Sequence, residues 1–148
     1  MGTYEKILFL DVDGVLTTSV SRRKATADWI SSETKELLAS LINKTGAKIV
    51  LTSTWRNDPN ACRILMGHLH DVGISQCVVG QTPPIDLNAR DQEILSWLGK
   101  NPTKQFAILD DDSRAGLGEL RGSFFEISSI VGLQQNDVEK AIKHLNSD

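Results

Sequence analysis

Two short runs in this chain are apolar at every position, and both stop at acid. Ile7-Leu8-Phe9-Leu10 leads into Asp11-Val12-Asp13-Gly14, and Phe106-Ala107-Ile108-Leu109 leads into Asp110-Asp111-Asp112. A strand with one wet face alternates apolar and polar residues. A run without alternation is buried on both faces, the condition of a central strand in a parallel sheet. Parallel strands need long crossovers, usually helical, so the remaining residues must supply amphipathic helices between them.

They do. Ser32 can cap a helix whose Leu37, Leu38, Leu41 and Ile42 form one apolar stripe, with Gly46 placed to end it. Ile49-Val50-Leu51, within Lys48 to Thr52, is a second buried strand. Asp58-Pro59 is a cap followed by proline at the first helical position, with Ile64, Leu65 and Leu69 on one side of the helix before Gly73. Cys77-Val78-Val79 reads as a short strand, and Pro83-Pro84 marks a turn or extended loop. Ile94, Leu95 and Leu98 mark a helix from about Asn88 to Gly99. Phe124 to Ile127 is a last strand candidate, and Asn136 with Glu139 makes a box-like start to a helix through Val138, Ala141, Ile142 and Leu145.

This alternation predicts a doubly wound α/β fold, Rossmann-like, with a mainly parallel sheet and helices on both faces. At 148 residues and 40% hydrophobic, the expectation is one domain spanning 1–148. In such sheets ligands sit at the carboxyl ends of the strands. Three strand ends carry unusual residues there: Asp11 and Asp13, Thr52 and Ser53, and Asp110 to Asp112.

Asp11 and Asp13, two apart at a strand end, should project to the same side. Like charges about 4 Å apart repel by roughly 4 kcal/mol at an effective dielectric near 20, so a convergent cluster needs protons or a cation. Oxygen-only ligands suit Mg²⁺, which takes few carboxylates plus a substrate phosphate. With phosphate present, Asp11 can act as nucleophile and Asp13 can donate a proton to the leaving oxygen, while Thr52 and a basic residue hold the non-bridging oxygens. Against this stands the plainer alternative that acids after strands solvate loops or cap helices.

At these residues the chain resembles the haloacid dehalogenase (HAD) superfamily of phosphotransferases. Leu8 to Leu16 matches its first motif, an apolar strand followed by Asp-x-Asp-Gly; Ile49 to Thr52 matches the second; Ile108 to Asp111 matches the fourth. The resemblance implies a phosphoryl-aspartate on Asp11 and acid/base work by Asp13. It also implies Mg²⁺ held by Asp11, the main-chain carbonyl of Asp13, and Asp111, with Asp110 the next choice. The third motif is usually lysine. Arg90, opening the helix before the fourth-motif strand, takes that phosphate-clamping place, with Lys100 and Lys104 as fallbacks. A closer similarity is to small members lacking a sizeable cap, in which Thr-Trp-Arg follows the second motif, as Thr54-Trp55-Arg56 does, and Arg-x-x-Glu-Ile occupies the later helix, as Arg90 to Ile94 does. Some relatives of that pattern are associated with nucleic-acid repair.

The resemblance also implies that an uncapped, open site can admit a phosphate on a large partner, such as a protein side chain or a nucleic-acid end. Trp55 and Arg56 either line the mouth, with Ser53, as substrate contacts, or pack over the sheet end. Trp29 and Trp97 read as packing residues, and His68, His70 and His144 as solvated side chains without zinc spacing. Arg22, Arg23 and Lys24 form either a solvated run or a recruiting patch. A net charge of −3 excludes a global basic field, so the expected substrate is a phosphoprotein, phosphotyrosine favoured, ahead of a nucleic-acid end, a small metabolite, or a non-catalytic phosphate-binding module. Cys62 and Cys77 make no disulfide framework, and the N-terminal apolar run is too short for a signal peptide or a membrane span, so an intracellular, soluble protein is expected.

Overall fold

The computed structural model describes residues 3–18, 30–84 and 89–147. Its framework is a five-stranded, all-parallel sheet: β1 (Tyr4–Leu10), β2 (Lys48–Leu51), β3 (Val78–Gln81), β4 (Thr103–Asp110) and β5 (Phe124–Glu126), in the order β3-β2-β1-β4-β5. The α-helices are α1 (Ser32–Thr45), α2 (Pro59–Asp71), α3 (Arg90–Lys100) and α4 (Gln135–Leu145). This is the doubly wound α/β architecture, and among the described residues no insertion forms a sizeable cap.

Alternation along β1 sorts the core into two layers. Leu8 and Leu10 pack with Leu38, Leu41, Leu65, Leu69, Val138 and Ala141, so α1, α2 and α4 share one face. Ile7 and Phe9 point the other way, toward Ile94 and Trp97 of α3 and Ala115 and Leu120 of the 3-10 turns after β4. Trp97 meets Phe9 edge-on at a 5.5 Å centroid separation and lies tilted against Tyr4 at 5.5 Å.

Helix ends depart from expectation by one or two residues, each for a local reason. Ser31, rather than its neighbour Ser32, accepts from Thr34 N–H at 3.1 Å and caps α1. Asp58 caps α2 as expected, accepting from Asn60 N–H at 2.9 Å, with Pro59 opening the helix. α3 begins at Arg90 after Ala89, which offers no capping side chain, and runs through Gly99 to Lys100. The last helix opens two residues earlier than the Asn136–Glu139 pattern suggests, because Asp137 reaches back to the Gln134 N–H at 2.9 Å.

His144 is not solvated: its Nε2 lies 3.0 Å from the Phe106 carbonyl oxygen and its ring meets Phe125 edge-on. His70 is exposed and His68 half-buried. Both cysteines are free thiols. Trp29, Arg22, Arg23 and Lys24 lie outside the described residues. Among the described residues no helix is long and apolar enough to cross a membrane.

Candidate active site

The chain runs from β1 outward through β2 and β3, then returns to the other side of β1 for β4 and β5. The strand order reverses at β1, and the crevice at its carboxyl end is where a sheet of this kind takes its ligand. Register brings the three motif ends level there, because Leu10 pairs with Leu51 on one side and Leu109 on the other. The ladder continues one step past the strands: Asp11 N–H donates to Leu109 O at 3.1 Å, and Thr52 N–H to Leu10 O at 3.0 Å. Asp11 therefore stands between Thr52 and Asp110.

After Asp11 the chain folds into a tight turn. The Val12 carbonyl accepts from the N–H groups of Val15, Leu16 and Thr17, and Gly14 N–H donates to Thr17 O at 2.9 Å. Thr17 Oγ1 also donates to Asp13 Oδ1 at 3.1 Å, which orients that carboxylate. Gly14 has φ 86°, and a Cβ built on it would lie 2.2 Å from Asp111 Oδ2. Only glycine lets the turn after the first acid approach the second acidic strand end this closely.

Arg90 points from the first turn of α3 into the acids. Its Nη1 donates to Asp110 Oδ2 at 2.7 Å and lies 3.2 Å from Asp11 Oδ1. Burial works to lower the pKa of Arg90, but the two carboxylates outweigh it and raise it. The Asp11 carboxyl is raised to about 8 by burial, by the charge of Asp110, and by charge and hydrogen bonding from Asp111, with Arg90 opposing. Asp110, wholly buried, is raised as well, chiefly by burial and against the pull of Arg90. Asp112 moves the opposite way because Arg114 hydrogen-bonds its carboxylate.

One carboxylate oxygen from each of Asp11, Asp110 and Asp111 lies within 4.8 Å of the others. Hard oxygen donors, an arginine beside them, and a carboxyl raised by burial and by its neighbours suit a Mg²⁺-type ion. Within this group Asp111 is the freer ligand. Asp110 already accepts from Arg90 on one oxygen and from Asp112 N–H on the other.

The crevice measures about 460 Å³ and is lined by Asp11, Asp13, Ser53, Thr54, Arg90 and Asp111, and also by Asp112, Ser113 and Glu126. Thr52 is fully buried next to it, and its hydroxyl has no hydrogen-bond partner among the described residues. An orphaned buried hydroxyl is costly unless a ligand completes it.

Two expected substrate contacts are placed elsewhere. Trp55 is 8% exposed and belongs to the apolar core, so it offers no platform at the mouth. Arg56 is equally buried, with its guanidinium committed to the carbonyls of Thr52, Ser53 and Thr82 and to Glu93. The sequence favoured neither fate, because an arginine after a strand end serves both. The fallback lysines sit at the wrong edge: Lys100 ends α3, and Lys104 pairs with Glu5 at 3.0 Å near the amino end of β4. Thr54, Asp112, Ser113 and Glu126 line the crevice without having been singled out as contacts. For Glu126 the signal was a charged residue within an apolar strand, Phe124-Phe125-Glu126-Ile127.

Comparison with curated proteins gives no significant match. A family of domains, described as the HAD domain in Swiss Army Knife RNA repair proteins, matches residues 7–138 and so takes in the carboxyl-terminal half of β1, all four α-helix starts and every acid of the crevice. The chain belongs to this family of small HAD domains.

Proposed function

We propose that the protein is a phosphomonoester hydrolase that works through a phosphoryl-aspartate on Asp11, and that its substrate is a terminal phosphate on RNA. The observation that carries this reading is the placement of Asp11. It is buried at the strand-order reversal, 3.2 Å from the Arg90 guanidinium and beside the unpartnered hydroxyl of Thr52.

In the first step an Asp11 oxygen attacks phosphorus in line and the bond from phosphorus to the leaving oxygen breaks. Asp13, oriented by Thr17, gives that oxygen its proton. Arg90 and the Thr52 hydroxyl hold the equatorial oxygens as charge spreads over them. In the second step the Asp13 carboxylate takes a proton from water, whose oxygen attacks the phosphoryl-aspartate and releases inorganic phosphate and Asp11. Asp11, the Asp13 carbonyl and Asp111 would hold Mg²⁺, with Asp110 behind them; bound there, the ion supplies the positive charge that keeps the acids ionised and lets a phosphate dianion approach.

The substrate class is supported by the family's description and by the walls of the crevice. Hydroxyl and charged side chains line it, which suits a ribose and its phosphate. Phosphotyrosine loses the support it had, because an aryl group would need the aromatic wall that the buried Trp55 does not provide.

The test is phosphate release with Mg²⁺ from 5′- and 3′-phosphorylated oligoribonucleotides, a phosphotyrosine peptide and a sugar phosphate, each against an Asp11→Asn control. Release from an oligoribonucleotide that the control abolishes is the expected result. Faster release from the peptide would return the substrate to protein, and release that survives Asp11→Asn would overturn the mechanism.

A further inference from the structure

We infer that Arg56 and Glu93 are a positioning pair that locks the Arg90 end of α3 to the Thr52 end of β2, so that the two phosphate-holding groups keep a fixed separation. The inference rests on the roles proposed above for Arg90 and Thr52.

Arg56 follows β2 in the 3-10 turn Thr54–Asn57, and its guanidinium gathers the strand ends around it. Nη1 donates to Thr52 O at 2.7 Å and to Ser53 O at 2.8 Å, and Nε donates to Thr82 O, just past β3, at 2.9 Å. Nη2 reaches Glu93 Oε2 at 3.0 Å, with both side chains almost wholly buried. Arginine alone offers donors in a planar fork that can serve three carbonyls and a carboxylate together. A lysine could hold only part of this set.

Glu93 lies three residues after Arg90, on the first turn of α3. That turn has no side-chain cap, since Ala89 stands at the capping position. α3 is also the sole α-helix among the described residues on its face of the sheet. The ion pair to Arg56 is thus a polar tie that fixes the start of α3 against β2. Arg90 sits on that same turn, and its Nη1 is held between Asp11 and Asp110. At the other end of the tie is the main chain of Thr52, whose hydroxyl is unpartnered. A buried pair is poor evidence for stability in itself, because desolvation offsets attraction. Its placement between two working groups gives it a reason to be there.

The test is a double-mutant cycle on turnover per folded molecule. Glu93→Gln should lower kcat/KM roughly tenfold in the presence of Arg90 and by less than about twofold in an Arg90→Ala background, the mark of two residues acting through one another. Arg56→Lys, which keeps the charge and loses the fork, should behave like Glu93→Gln. Equal losses in both backgrounds, or an unchanged kcat/KM in a folded Glu93→Gln protein with a lowered melting temperature, would mean a structural brace only and overturn the inference. If no substrate shows Asp11-dependent release, the proposed activity fails separately. The same cycle is then read in the affinity for inorganic phosphate with Mg²⁺ by calorimetry: weakening by Glu93→Gln that needs Arg90 supports the tie, and weakening independent of Arg90 overturns it.

Discussion

Asp11 keeps its proton to about pH 8 in the cation-free protein, while an unfolded chain releases it near the ordinary carboxylate value of 3.8. Across that window the folded state binds the extra proton, so this group's contribution to stability falls as pH rises from about 4 to about 8 and is level above it. Asp110, also raised, adds in the same direction. Melting curves of chelator-treated protein should show a midpoint that drops between about pH 5 and pH 8, and Asp11→Asn should flatten the drop. Mg²⁺ held as proposed would compete with that proton, so its stabilising shift should be largest at the alkaline end. Arg90 opposes these shifts, and Arg90→Ala should cut phosphate release by about 10²–10³-fold, with Arg90→Lys between it and the native chain. Two glycines make a matched contrast. Gly14→Ala would strain a φ of 86° and drive a Cβ into Asp111, costing on the order of 1–3 kcal/mol and weakening Mg²⁺ binding in a calorimetric titration. Gly67→Ala, inside α2 with nothing within 4 Å, should instead stabilise by roughly 0.5–1 kcal/mol in denaturant unfolding.

At the scale of elements, what could be read in advance was whatever depends on neighbours in sequence. β1 and β4 announce themselves because four apolar residues stop at acid, and α2 because aspartate and proline stand together at its start. The start of α1 could not be fixed because two serines compete, and α4 because Gln134 with Asp137 and Asn136 with Glu139 offer two boxes of one spacing. Arg56 was left between two fates for a deeper reason. Its fate depends on Glu93, which reaches it only once α3 has packed across the sheet. Both partners stood in the motifs that carry the family resemblance, yet neither motif says that they meet. Truncating either partner, as Arg56→Ala or Glu93→Ala, breaks a buried ion pair and should lower unfolding free energy by about 3–5 kcal/mol. A surface pair such as Lys104–Glu5, cut in the same way, should change it by less than about 1 kcal/mol.

Across the whole molecule, the division of labour is between two edges of one sheet. Every acid of the crevice stands at or beyond the carboxyl ends of the strands, while the amino edge carries the Lys104–Glu5 pair and the hydrogen bond from Tyr4 N–H to Pro102 O. The fold class was legible from the order of elements, since a run of buried strands separated by helices admits few arrangements. Which strand lies beside β1 was not, because the pairing of β1 with β4 joins residues about a hundred positions apart and leaves no local trace. The level stop of β1, β2 and β4 has a consequence for how such a chain can vary. Strands that end flush behave as a ruler with its zero at the crevice, so length is free to drift at the far edge and is forbidden at the near one. Losing one residue between Ile7 and Leu10 would draw Asp11 back by about 3.3 Å and turn it to the opposite face. Losing one at Asn101 would shorten a connection and leave every acid where it stands.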